Sequence, residues 1–431
     1  MKKDIIILGA GITGLSAGLS TGAQIYEAGS MPGGICASYY IGRDGKKSSA
    51  RIDDETYRFE VGGGHWMFGA DKNILDFLEG FCDLNRYDRI SSVYLPDRVL
   101  YVPYPIQNHL SYLSPDIRDK VLAEIIDSDN TIVKTLRDWL EMNFGRTLSE
   151  LFFFPFHKLY TADMYARIAP QDSFKTPVDR ELLMKGARER TPAVGYNASF
   201  FYPQNGLDGL INNMAAKCRI NYNKRALKIF LDKKEILFED GERLEYETII
   251  STLPLNQLLE MTGLLAGSPD PFTSVLVVNI GAKKGERCPR DHWLYIPESK
   301  AGFHRVGFYS NVDPSFLPAS SRKDNSRVSI YVEKAYLPGL RPAEDQVRVL
   351  CRDIVDELTD WKFIAEAEVV DPTWIETGYT WQYPGSEWKQ KALTMLEKYG
   401  IRSTGRYGKW KFQGIAESLK DGIDIKTVLN G

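Results

Sequence analysis

Residues 9–14 read Gly-Ala-Gly-Ile-Thr-Gly, directly after the apolar run Ile5-Ile6-Ile7-Leu8. A strand that runs into G-x-G-x-x-G and then into a helix is the arrangement that binds a dinucleotide. Gly9 permits the tight turn, Gly11 lets backbone approach a pyrophosphate, and Gly14 lets helix and strand pack closely. The helix start then aims free amides at the phosphates. Thirteen residues past Gly14, Glu27 closes a second short apolar run and can accept hydrogen bonds from ribose hydroxyls. Each glycine alone could serve packing. Strand, spacing and acid together indicate dinucleotide chemistry.

Two more glycine clusters follow. Gly33 and Gly34, in Met31-Pro32-Gly33-Gly34-Ile35-Cys36, suit backbone wrapped around a large buried cofactor. An ordinary Pro-Gly turn has the same composition. Gly63 and Gly64, in Val61-Gly62-Gly63-Gly64-His65-Trp66, bring backbone against something flat, and His65 is placed to line a pocket.

The polar candidates lie further on. Val102-Pro103-Tyr104-Pro105-Ile106-Gln107-Asn108 is held extended by its prolines. It either presents Tyr104 and Gln107 to a planar base or merely links domains. Asn197 is a substrate contact or a turn cap. Tyr295 precedes Arg305 by ten residues, and a guanidinium suits a diphosphate because its planar donors bind two oxygens at once.

The elements that must carry these residues come next. The chain has 431 residues, 43% of them hydrophobic, enough for two or three domains with sizeable cores. A net charge of −3 gives no reason to expect nucleic acid. No apolar run reaches the length of a membrane span, and no signal peptide precedes the first strand, so a cytoplasmic protein is expected. The five cysteines and five histidines show no metal-ligand spacing, so no metal is expected. Helical spacing marks 71–81, 114–126, 133–143 and 148–159. Residues 226–231 and 234–239 form a hairpin, and 246–252 is a buried strand. Residues 272–335 are strand-rich, and a helix follows at 342–358.

These motifs resemble the flavoprotein group of amine oxidases, protoporphyrinogen oxidases and UDP-galactopyranose mutases. The match is most specific to the mutases. It rests on Gly-Gly-His at 63–65, Tyr104-Pro105-Ile106-Gln107, the Asn197 segment, Trp293-Leu294-Tyr295-Ile296-Pro297-Glu298 with Arg305 and Ser310-Asn311, Tyr383-Pro384, and Gly405-Arg406-Tyr407-Gly408-Lys409-Trp410. The implied fold is α/β, a Rossmann-like FAD-binding domain of the GR2 flavoprotein type with inserted helical and antiparallel-sheet substrate domains. Its parts would be cofactor domain at 1–95, helical lid at 96–165, sheet at 166–194, cofactor domain at 195–271, sheet at 272–380, and cofactor domain at 381–431. The implied cofactor is FAD, active when reduced. Besides the seven glycines, Glu27 and His65, its contacts would include Leu227, Arg406, Ala416, Glu417 and Ser418. The implied substrate is a nucleoside-diphosphate hexose touched by Tyr104, Ile106, Gln107, His157, Tyr160, Asn197, Tyr295, Arg305, Asn311, Tyr383 and Phe412.

The resemblance implies that reduced flavin N5 attacks the anomeric carbon, so that pyranose and furanose forms interconvert with no net redox. Arg305, Tyr295 and Tyr383 would steady the departing diphosphate, and His65 and Arg406 would orient the flavin. NAD(P)H is the implied reductant, and a homo-oligomer is possible. A lid cation is expected at Arg167 or Lys175. The chain departs from the mutase pattern at Tyr160, Leu207, Phe412 and Gly414–Ser418. An FAD-dependent oxidoreductase on the same fold is the alternative, and a non-catalytic flavin binder the third.

Overall fold

The computed structural model describes residues 5–51, 53–126, 133–170, 179–191, 197–204 and 206–430. The cofactor layer is a five-stranded parallel sheet ordered Ile220–Asn221, Gln24–Tyr26, Ile5–Leu8, Thr248–Ser251, Ile401–Ser403. Its central strands are nearly all apolar because both faces are covered. Ile7 and Ile250 pack beneath the first helix (Ile12–Thr21) and the C-terminal helix (Ile415–Asn430), while Ile6, Leu8 and Ile249 face the hairpin side. The first helix starts straight from Gly11 and ends at Gly22, whose φ of 69° is a left-handed cap.

The second layer is a seven-stranded sheet. Its order is Ile364–Thr380, Phe272–Lys284, Arg327–Tyr336, Arg305–Phe308, Trp293–Tyr295, Ser91–Leu95, Leu100–Pro103. All pairs are antiparallel except Trp293–Tyr295 with Ser91–Leu95. The Phe272–Lys284 strand is buried on both faces. Val275 and Val277 join the cofactor-side core, whereas Leu276, Val278 and Ile280 pack on Ile354 and Leu358 of the helix Glu344–Asp360.

A helical cap covers the other end of the sheet. It comprises Pro115–Ile126, Leu136–Leu148, Ser149–Phe153, Phe154–Tyr160 and Arg180–Arg188. Thr135 starts the Leu136 helix with a reciprocal box: Asp138 N donates to its hydroxyl at 3.2 Å, and Thr135 N donates to the Asp138 carboxylate at 2.9 Å.

Three spans differ from the sequence expectation. The substrate sheet holds Ser91–Leu95, inside the span 1–95 assigned to the cofactor domain, and Leu100–Pro103, inside the span 96–165 assigned to the helical lid. The described part of 166–194 holds the helix Arg180–Arg188 and no strand, because Asp179 caps a helically spaced Leu-Leu-Met run. No described helix is long and apolar enough to cross a membrane.

Candidate active site

A cleft of about 630 Å³ runs between the two sheets and under the helical cap. One end is built by the parallel strands. Gly9, Gly11, Gly33 and Gly34 line it, and Gly33 N donates to the Ala10 carbonyl at 2.8 Å. Gly14 lies one turn in, where a Cβ would fall on the Gly9 carbonyl oxygen; it sets the helix against the strand rather than lining the cleft. Glu27 closes this end. Its two oxygens each accept one backbone amide, Ala10 N at 2.7 Å and Gly29 N at 2.7 Å, which leaves acceptor capacity on both.

The middle of the cleft meets the Gly62–His65 loop, the turn Gly405–Tyr407 and the start of the C-terminal helix, with Glu417 and Ser418. His65 Nδ1 lies 2.8 Å from the Gly63 carbonyl, and burial holds the ring neutral, with its pKa lowered to about 4. Beneath this loop, Glu60 is fully buried and accepts from His65 N at 3.2 Å and from the Tyr202 hydroxyl at 2.5 Å. Arg406 is pinned by the carbonyls of Gln413 (2.9 Å) and Gly378 (3.2 Å), and its guanidinium lies 4.6 Å from the Phe412 ring centre. Cys36 also lines the cleft; burial pushes its thiol up to about 12, so it is an unreactive thiol there.

These features fit FAD. A cradle of glycines, an amide-rich helix start and an acid at the end of the second strand form one long trough. Gly11 has open space where a side chain would stand, which leaves its backbone free to approach a pyrophosphate.

The far end lies against the seven-stranded sheet. Arg305 donates to the Glu333 carboxylate at 3.3 Å and sits 5.5 Å from the Tyr295 ring, whose centre lies 4.2 Å from that of Tyr104 with the two rings tilted by 36°. Tyr379 also donates to Glu333, at 2.9 Å. Burial pushes the Glu333 carboxyl up, but Arg305, His304 and Tyr379 outweigh it and bring it down to about 2. His157, Tyr160, Asn197 and Phe412 line this end too, with Arg89 beside Tyr104 and an apolar wall of Trp139, Phe152, Phe153 and Phe156. His157 is steadied through Nδ1 on the Phe153 carbonyl at 2.7 Å.

Several sequence candidates stand outside the cleft. Tyr383 is 43% exposed, because the long strand ends at Thr380 and the chain turns outward. Tyr379 and Trp381, in the same aromatic run, line the cleft instead. Ile106 and Gln107 are buried in the helical cap, since the chain after Pro105 coils into a short 3-10 turn. Asn311 donates to the carbonyls of Pro289 and Asp291 and so braces a loop. Leu227 is an exposed hairpin residue, Ala416 packs in the core, and Gly63 lies just behind the cleft wall. Arg167 does not line the cleft, and Lys175 is outside the described residues. Glu333 was missed; its signal was a lone acid after the apolar run Val328–Val332.

The sequence model described as flavin containing amine oxidoreductase matches residues 10–284, more than half of the chain. Among solved structures, a reduced UDP-galactopyranose mutase superposes with a TM-score of 0.86 at 24% identity, covering 100% of this chain and 94% of its own. A protein from Exiguobacterium sp. 255-15 assigned as a protoporphyrinogen oxidase has a TM-score of 0.72 at 14% identity, covering 100% and 99%. A fatty acid isomerase from P. acnes that produces CLA has a TM-score of 0.59 at 13% identity, covering 99% and 98%. One fold thus serves redox and non-redox chemistry. The chain is a member of the flavin-containing amine oxidoreductase family, and its cofactor is FAD.

Proposed function

We propose that this flavoenzyme interconverts the pyranose and furanose forms of a nucleoside-diphosphate hexose. The observation that carries the reading is the charge of the far end of the cleft. Among the described residues lining it, Arg89 and Arg305 face a single acid, Glu333, and His157 adds no carboxylate, whereas over the whole cleft Arg406 stands against Glu27 and Glu417 and the formal charges balance. A net positive site attracts a diphosphate and repels an ammonium substrate. Arg305 Nε has no hydrogen-bond partner among the described residues, which leaves a planar donor for a phosphate oxygen.

When bound and reduced, by NAD(P)H in this reading, FAD supplies an electron-rich centre for the anomeric carbon with no net oxidation. The chain's own residues do the rest. Arg305, with Tyr379 in the place expected of Tyr383, steadies the diphosphate as it leaves and returns. The tilted Tyr104–Tyr295 ring pair and Asn197 orient the nucleotide and sugar. His65, with Nδ1–H on the Gly63 carbonyl, keeps Nε2 as an acceptor for a sugar hydroxyl. The aromatic wall excludes water, which would otherwise capture the activated sugar.

That same wall favours a second reading. Phe152, Phe153, Phe156, Trp139 and Phe412 offer an apolar substrate a dry surface, as an oxidase of this family would need. One experiment separates the two. Dithionite-reduced protein is incubated with UDP- and dTDP-hexopyranoses and hexofuranoses, and products are resolved by anion exchange. Interconversion only with reduced flavin supports the mutase. No conversion by intact, reducible holoprotein, together with anaerobic bleaching of the flavin by amines or apolar alcohols, transfers the assignment to an oxidase.

A further inference from the structure

We infer that Glu333 is a specificity-determining residue, an internal counter-anion that holds one Arg305 donor and the Tyr379 hydroxyl and competes with a substrate phosphate for them. The inference rests on Arg305 as the anion grip, as the mutase reading does. Arg305 and Glu333 are directly paired across neighbouring strands, so their meeting is fixed by sheet register and not by flexible side chains. One carboxylate oxygen takes Arg305 at 3.3 Å and the other takes the Tyr379 hydroxyl at 2.9 Å. His304 Nε2 stands 3.5 Å away, and His304 N donates to the Glu333 carbonyl at 3.0 Å. Glu333 is 3% exposed, and a Cβ at Gly63 would come within 3.3 Å of its carboxylate. The acid therefore stands between the flavin loop and the arginine.

A small anion entering the cleft must displace or share these donors beside a fixed negative charge. A weak, singly anchored anion fails to do so. A ligand with further contacts, stacked on Tyr104 and Tyr295 for example, recovers the loss elsewhere. The device makes the cleft select a diphosphate that carries a nucleoside over free phosphate or pyrophosphate.

The test is binding of inorganic pyrophosphate and of UDP to the FAD-loaded protein, by calorimetry, in wild type and Glu333→Gln. Close charge pairs couple strongly, so E333Q is expected to bind pyrophosphate about tenfold or more tightly than wild type. The ratio of UDP to pyrophosphate affinity should fall. Arg305→Ala on the E333Q background should abolish the gain. Equal or weaker pyrophosphate binding by E333Q, with its flavin spectrum intact, overturns the inference. If E333Q does not retain flavin, Glu333→Asp withdraws the carboxylate from Arg305 and must show a gain of the same sign. A pyrophosphate gain in a protein that converts no sugar nucleotide keeps this inference and ends the mutase reading. Sugar conversion without the gain does the reverse. A merely structural role for Glu333 would weaken binding and could not strengthen it.

Discussion

Glu60→Gln should remove a pH dependence of stability that the wild-type protein carries between about pH 4.5 and pH 8. Burial raises the Glu60 carboxyl from its ordinary 4.5 to about 8, although the Tyr202 hydroxyl, Arg58 and the His65 amide pull the other way. In the unfolded chain this group loses its proton above about 4.5; in the folded protein it keeps the proton until about 8. The folded state thus binds more protons across that window, and stability falls as pH rises through it. At up to 1.36 kcal/mol per pH unit, easing as the folded group titrates near 8, the loss between pH 6 and pH 8 is about 2 kcal/mol. His65, His109 and His292, each lowered to about 4 chiefly by burial, act in the opposite sense below about 6.5. They are present in both proteins and cancel in the difference. The assay is urea denaturation of the FAD-loaded wild type and E60Q at pH 6, 7 and 8. The wild type should lose about 2 kcal/mol relative to E60Q across that range. Parallel stability curves for the two proteins would refute the reasoning, because they would mean that Glu60 is ionised in the fold.

Other substitutions test the two ends of the cleft. Gly14→Ala puts a methyl on the Gly9 carbonyl oxygen, so the protein should be recovered without flavin or not at all, read from the visible absorbance of the purified material. Glu27→Gln keeps the shape but gives up an acceptor and a charge, and FAD affinity should fall about tenfold, measured by flavin fluorescence on dilution. Tyr379→Phe removes a donor inside the cleft and should lower kcat/KM about fivefold, since one such hydrogen bond is worth about 1 kcal/mol. Tyr383→Phe should leave kcat/KM within twofold, because that side chain meets solvent.

The glycine trough was legible in the sequence because its parts are local. Gly9, Gly11 and Gly14 fall within six residues, and their roles depend only on one strand, one turn and one helix start. Arg305 and Tyr295 were legible for a similar reason, as two positions of one antiparallel hairpin that face each other at its end. Tyr383 stands outside the cleft, which spacing alone could not show because it does not mark where a strand stops. Tyr379, Trp381 and Tyr383 share a two-residue period, yet the strand stops at Thr380 and only the first two reach the cleft. Gln107 stands away from the cleft because a 3-10 turn that starts directly after Pro105 carries the extended segment into the helical core.

Glu333 was invisible for a deeper reason. Its meaning depends on which residue lies opposite Arg305, and that is a property of register. Val306 pairs with Val332 and Phe308 with Ile330, and these side chains fill the core under the Glu344–Asp360 helix. A slip of one residue would put Lys334 or Val332 opposite Arg305 and turn the apolar set out of that core. The same packing that fixes the sheet therefore places a carboxylate against the arginine. The charge of the cleft follows from hydrophobic burial some distance from it, so a motif search that stops at the arginine reads the grip but not the group that restrains it.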